Sequence, residues 1–149
     1  MPDVPTRPEG VPWMMPYLAV RDVEEATKFY VDAFGFEPVQ VLHGPDGAIV
    51  HAAFTYQDAR ILVGVEDRTR PEIEKPVGRT PSRLGGTGLV LYLYTENVDA
   101  LYGRAIAAGA SDGFPPEDVF WGDRLCLVFD PDGHAWNFAT HKFDYLEES

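Results

Sequence analysis

The sequence is poor in cysteine and in positive charge. Its single cysteine, Cys126, excludes an internal disulfide, and a buried structural thiol is the role expected of it. Lys and Arg number 12 against 24 Asp and Glu, a formal net charge of −12. Nucleic acid and anionic membranes recruit basic surfaces, so neither is expected as a partner. The same charge permits a cationic ligand. No signal peptide and no apolar run of transmembrane length is visible, so a soluble cytoplasmic protein is expected. Gly85, Gly86 and Gly88 lack the spacing of a phosphate-binding loop.

What the chain does have is a repeat. Asp22 to Gly35 and Asn97 to Gly109 each read as a short helix that follows a strand and ends at a glycine. Asp22 and Asn97 suit the N-cap, and Glu25 stands in the capping-box position of the first helix. Val23, Ala26, Tyr30 and Ala33 share one helical face, as do Val98, Leu101, Ala105 and Ala108. Val23 and Val98 are 75 positions apart, and the same offset carries Met15 to Val90, Tyr17 to Tyr92 and Leu62 to Asn137. Gly35 and Gly109 are 74 apart, which marks a one-residue slip.

Period-two alternation and turn residues place the strands. Strands are predicted over Trp13 to Val20, Glu37 to Leu42, Ala48 to Thr55 and Arg60 to Val65. A second set covers Leu89 to Tyr94, Arg124 to Phe129 and His134 to Thr140. Gly113 to Phe120 reads as a loop with room for a short strand, and Trp121-Gly122-Asp123 as a turn. The organisation expected is a flexible arm (1–11), module one (12–66), a linker (67–86), module two (87–141) and an acidic surface tail (142–149).

The segments Tyr17-Leu-Ala-Val-Arg-Asp22, Phe29-Tyr30, Ala33-Phe-Gly35 and Asp130-Pro-Asp-Gly133 resemble the vicinal oxygen chelate superfamily of glyoxalases, extradiol dioxygenases and bleomycin-resistance proteins. His51-Ala52 and Pro115 to Arg124 resemble its glyoxalase-like or bleomycin-resistance-like subgroup. The resemblance implies an α+β fold in which two βαβββ modules form a curved mixed-sheet cavity. It also implies a homodimer, with cavities built within a chain or across a two-fold axis by exchanged modules. The four metal-ligand positions of that superfamily fall on Met15, Leu62, Val90 and Asn137. A thioether, two aliphatic side chains and one amide do not make a site for a hard divalent ion. No metal and no cofactor is therefore expected.

The remaining candidates are histidine and aromatic side chains. His51 lies on a strand and could orient a ligand or act as a base. His134 and His141 show no usual ligand spacing, and Asp123 and Asp130 flank turns and read as turn formers. Trp13, Tyr17, Tyr92 and Tyr94 fall on the strand faces that would line a cavity, with Trp121 at a loop that could edge it, while Trp136 falls on the opposite, core face. Such rings stack on planar or cationic compounds. Three readings follow: a metal-independent binding protein for a planar or cationic small molecule, a lyase, isomerase or other enzyme with a shifted or absent metal site, and a ligand-free module filled by its own aromatics. The ligand-binding set expected is Trp13, Met15, Tyr17, His51, Leu62, Val90, Tyr92, Trp121 and Asn137.

Overall fold

The computed structural model describes residues 3–66 and 72–146. Residues 1–2 of the expected arm, 67–71 of the linker and 147–149 of the tail lie outside the described residues. The chain runs β1 (Tyr17–Val20), α1 (Val23–Phe29) continuing into a π-helical turn (Tyr30–Phe34), β2 (Glu37–His43), β3 (Ile49–Tyr56) and β4 (Ala59–Val65). It continues through α2 (Pro81–Leu84), β5 (Val90–Tyr94), α3 (Val98–Ala107), β6 (Ser111–Asp118), β7 (Asp123–Phe129) and β8 (Ala135–His141). Two four-stranded sheets result, ordered β1-β4-β3-β2 and β5-β8-β7-β6. In each, one strand pair is parallel and the others antiparallel. This is the expected α+β pair of βαβββ modules.

The N-cap signals act as read. Asp22 accepts from the Glu25 amide and Asn97 from the Ala100 amide, so each helix has a side-chain cap. Gly35 closes the first helical segment in the left-handed region at φ 73°. The 75-residue offset also holds in the ladders, since Tyr17 pairs with Leu62 and Tyr92 with Asn137.

Three elements differ from expectation. The first strand begins at Tyr17 instead of Trp13. Pro16 has no amide hydrogen to donate, and its carbonyl accepts from the Leu62 amide to start the ladder. Trp13 and Met14 therefore stand outside the sheet, 80% and 88% exposed, and the Arg7 guanidinium lies 4.1 Å over the Trp13 ring. The stretch read mainly as loop is an eight-residue strand, β6, despite Pro115 and Pro116. As an edge strand with irregular register at Phe114 and Glu117, it tolerates missing donors. The expected linker ends in α2, capped by buried Thr80 and held where the Ser82 amide donates to the Asp132 carbonyl.

Each sheet gives one face to a single core. Leu18, Val20, Phe54, Ile61 and Val63 enter from the first sheet, and Cys126, Val128, Trp136 and Phe138 from the second. Phe34, on the π turn, touches both Trp136 and Phe138, with ring centroids 5.2 and 4.7 Å away. Asp130 is buried at the same seam. It accepts from Tyr30 Oη at 2.6 Å and Trp136 Nε1 at 3.0 Å. It is thus a link between modules as well as a turn residue, which corrects the sequence reading. Because both sheets spend their helix-bearing faces on this core, their other faces look outward.

Candidate functional site

Alternation along the strands leaves Tyr17, Ala19, Arg60, Leu62, Gly64, His51 and Ala53 on the outer face of the first sheet. Tyr17, Gln40, Leu42, His51 and Leu62 line a cavity of about 200 Å³ there. Tyr17 Oη and His51 Nδ1 are 2.9 Å apart. Their bond crosses directly over Gly64, where a Cβ would lie 2.1 Å from Tyr17 Oη and 3.0 Å from His51 Cε1. Glycine costs strand stability, and here its lack of a side chain makes room for the pair.

The outer face of the second sheet carries Val90, Tyr92, Tyr94 and Asn137. Asp123, the first residue of β7, is buried beneath it. Its Oδ2 accepts from Tyr92 Oη at 2.5 Å and Tyr94 Oη at 2.9 Å, while Oδ1 lies 2.9 Å from His141 Nδ1. Trp121 Nε1 in turn donates to Tyr92 Oη at 3.2 Å. Burial by itself would raise the Asp123 carboxyl, but hydrogen bonds from Tyr92, His141 and Tyr94 hold it below the usual range. Burial and the bond to Asp123 push the Tyr92 phenol up to about 12. The result is a pair of neutral tyrosines backed by a fixed negative charge. A cation or an electron-poor ring on these rings meets favourable electrostatics.

The C-terminal segment closes one edge of this face. The Lys142 and Phe143 amides both donate to the Gly122 carbonyl, and the Phe120 and Tyr145 rings meet at 5.7 Å. Gly122 has φ 99°, and a Cβ on it would fall 1.9 Å from the Phe143 carbonyl oxygen, so the turn and the docked segment both need glycine. Lys142, Phe143 and Tyr145 thus touch this edge while residues 142–146 all stay exposed at the surface.

The structure groups Tyr17, His51 and Leu62 on one outer face, and Val90, Tyr92, Trp121 and Asn137 on the other side of the common core. It does not bring the two sets together within one chain. Met15 and Trp13 precede β1, and Trp13 is engaged by Arg7. Asp123 was missed as a site residue. Its sequence context signals only a turn, and its partners lie about thirty positions away on another strand. His134 bonds to the Ala19 carbonyl at 2.7 Å. Burial raises the Cys126 thiol, in keeping with an inert core residue. Among the described residues, no three His, Cys, Asp or Glu side chains cluster as a metal site. No helix among them is long and apolar enough to cross a membrane.

A family model described as Glyoxalase/Bleomycin resistance protein/Dioxygenase superfamily matches residues 10–138. An uncharacterized protein of Mycobacterium bovis is 36% identical over 128 residues, which cover 86% of this chain and 82% of that protein. Among solved structures, TioX from Micromonospora sp. ML1 is 30% identical with a TM-score of 0.67, covering 86% of this chain and 97% of TioX. TnmS3, an antibiotic binding protein from Streptomyces sp. CB03234, is 24% identical with a TM-score of 0.60, over 86% of this chain and 93% of its own. At that identity TnmS3 supports the fold alone.

Proposed function

We propose that this chain, which belongs to the Glyoxalase/Bleomycin resistance protein/Dioxygenase superfamily, is a metal-independent binding protein that sequesters a planar or cationic small molecule. The observation that carries the reading is the pair of outward sheet faces, one bearing a cavity beside Tyr17 and His51 and the other bearing Asp123-backed tyrosines. The family's metal positions support it, since they hold Met15, Leu62, Val90 and Asn137. The antibiotic binding stated for TnmS3 is in line with it.

The working unit is a homodimer. β1 and β5 are sheet edges with unpaired backbone groups, and each adjoins an outer face. Pairing β1 of one copy with β5 of a second joins the sheets edge to edge. Tyr17, His51 and Leu62 of one copy then face Val90, Tyr92, Trp121 and Asn137 of the other across one pocket, twice per dimer. Met15 borders the pocket and Trp13 lies beyond it.

The test is a screen of polycyclic aromatic compounds with and without an amine, read by tryptophan fluorescence. Trp136 is buried, so quenching reports Trp121 and Trp13. Tyr92→Ala is expected to weaken a hit by roughly tenfold, the scale of about 1.4 kcal/mol of lost stacking and burial. Unchanged affinity in Tyr92→Ala sinks the proposal. The 2.9 Å Tyr17–His51 contact favours one second reading, an enzyme of the same superfamily in which His51 is a base. Turnover of a bound compound that disappears in His51→Ala, with binding kept, would select it.

A further inference from the structure

Among the described residues, one cation on the first outer face is unaccounted for. Arg60 begins the run Arg60, Leu62, Gly64 along β4, one pleat repeat (about 7 Å) from Leu62 in the cavity floor. Its Nε is buried and has no hydrogen-bond partner among the described residues. The other described arginines are engaged: Arg21 with Asp132, Arg104 with the Val31 and Asp32 carbonyls, Arg124 with Asp99 and Asp118, and Arg7 with the Val11 carbonyl, while Arg79 and Arg83 also have partners. An orphaned buried donor is costly, so a partner for it is expected. The chain has twice as many carboxylates as basic side chains, yet none of the described ones pairs with this one.

We infer that Arg60 is a ligand-binding residue that takes an anionic oxygen group, a carboxylate or its equivalent, carried by the planar compound. This rests on the planar-ligand reading above and narrows its chemistry. The guanidinium fork supplies two parallel donors to such a group, and ligand binding turns the side chain so that Nε, shielded in the free chain, is one of them. The ring system of the ligand then lies over Leu62 toward Tyr17 and His51. The net charge of −12 opposes an anion only at long range. At 0.15 M salt its field is screened over about 8 Å, whereas Arg60 acts at contact distance, so the local donor wins.

The probes are 2-naphthoate and its neutral isostere 2-naphthamide, titrated at 0.15 M salt into the full chain. The readouts are affinity and the Arg60 Nε–H signal in a nitrogen–proton spectrum, assigned by its loss in Arg60→Gln. Naphthoate is expected to move that signal and to bind roughly tenfold or more tightly than the amide. Arg60→Gln removes the preference, and Arg60→Lys, which keeps the charge and loses the fork, restores only part of it. Equal binding of both probes with the Nε–H signal unmoved overturns the inference and leaves the planar-ligand reading standing. Binding of neither probe removes both. A changed solution mass in Arg60→Gln and Arg60→Lys would assign Arg60 to the contact between copies and overturn the inference as well.

Discussion

His141 sits between two carboxylates, with Asp123 Oδ1 2.9 Å from Nδ1 and Asp144 Oδ1 2.7 Å from Nε2. Both nitrogens donate only in the imidazolium, and the bonds to Asp123 and then Asp144 raise its pKa above the ordinary value of about 6.5. A raised folded pKa stabilises the protein fully below the unfolded value. That contribution is lost as pH rises through the folded one. Between pH 6 and 9 the urea midpoint of the wild type is therefore expected to fall relative to that of His141→Gln. Parallel curves would show that the clasp on the C-terminal segment contributes nothing. Asp123 acts in the opposite window, since its lowered pKa gives stability that is lost only as pH falls through the carboxylate range.

Among the elements, the first helix and its π turn are closed from outside. Arg104 of α3 donates from Nε to the Asp32 carbonyl at 2.6 Å and from a terminal nitrogen to the Val31 carbonyl at 2.9 Å. A cation at the C-terminal end also complements the helix dipole. Arg104→Met keeps the stem and removes these bonds, and is expected to cost roughly 1–2 kcal/mol, measured by urea unfolding. A variant as stable as the wild type would make the contact incidental. The helices, their caps and Gly35 were legible in the sequence because each depends on residues within one or two turns. β6 was not, because Pro115-Pro116 reads locally as loop and only a position at the sheet edge makes it tolerable. The late start of β1 has the same origin, a proline whose effect depends on its neighbour strand.

At the scale of the molecule, the two aromatic faces point away from each other. A chain acting alone leaves Tyr17 and Tyr92 52% and 41% exposed, with Val90 at 47%. Light scattering is expected to give twice the 16.6 kDa of the chain. Val90→Glu, which places a charge on the face and edge of β5, is expected to shift the species toward the single chain and to abolish ligand binding with it. A stable monomer that binds ligand fully would refute the shared pocket.

The duplicated strand-helix-strands plan and the core sides of β1, β5 and β8 were readable from the chain alone, whereas the inward face of the His51 strand was not, and the four metal positions came from the family resemblance. The plan and those core sides follow from local periodicity, which needs no knowledge of distant neighbours. Only the tertiary structure decided that both helix-bearing faces enter one core, so that Tyr17 and Tyr92 diverge within a chain. It also decided that Asp123 gathers two tyrosines and a histidine, and that Arg60 Nε has no partner among the described residues. Those outcomes depend on strand order and on contacts between residues tens of positions apart. A carboxylate in a turn and an arginine on a strand look the same in sequence whether or not the fold supplies them with partners.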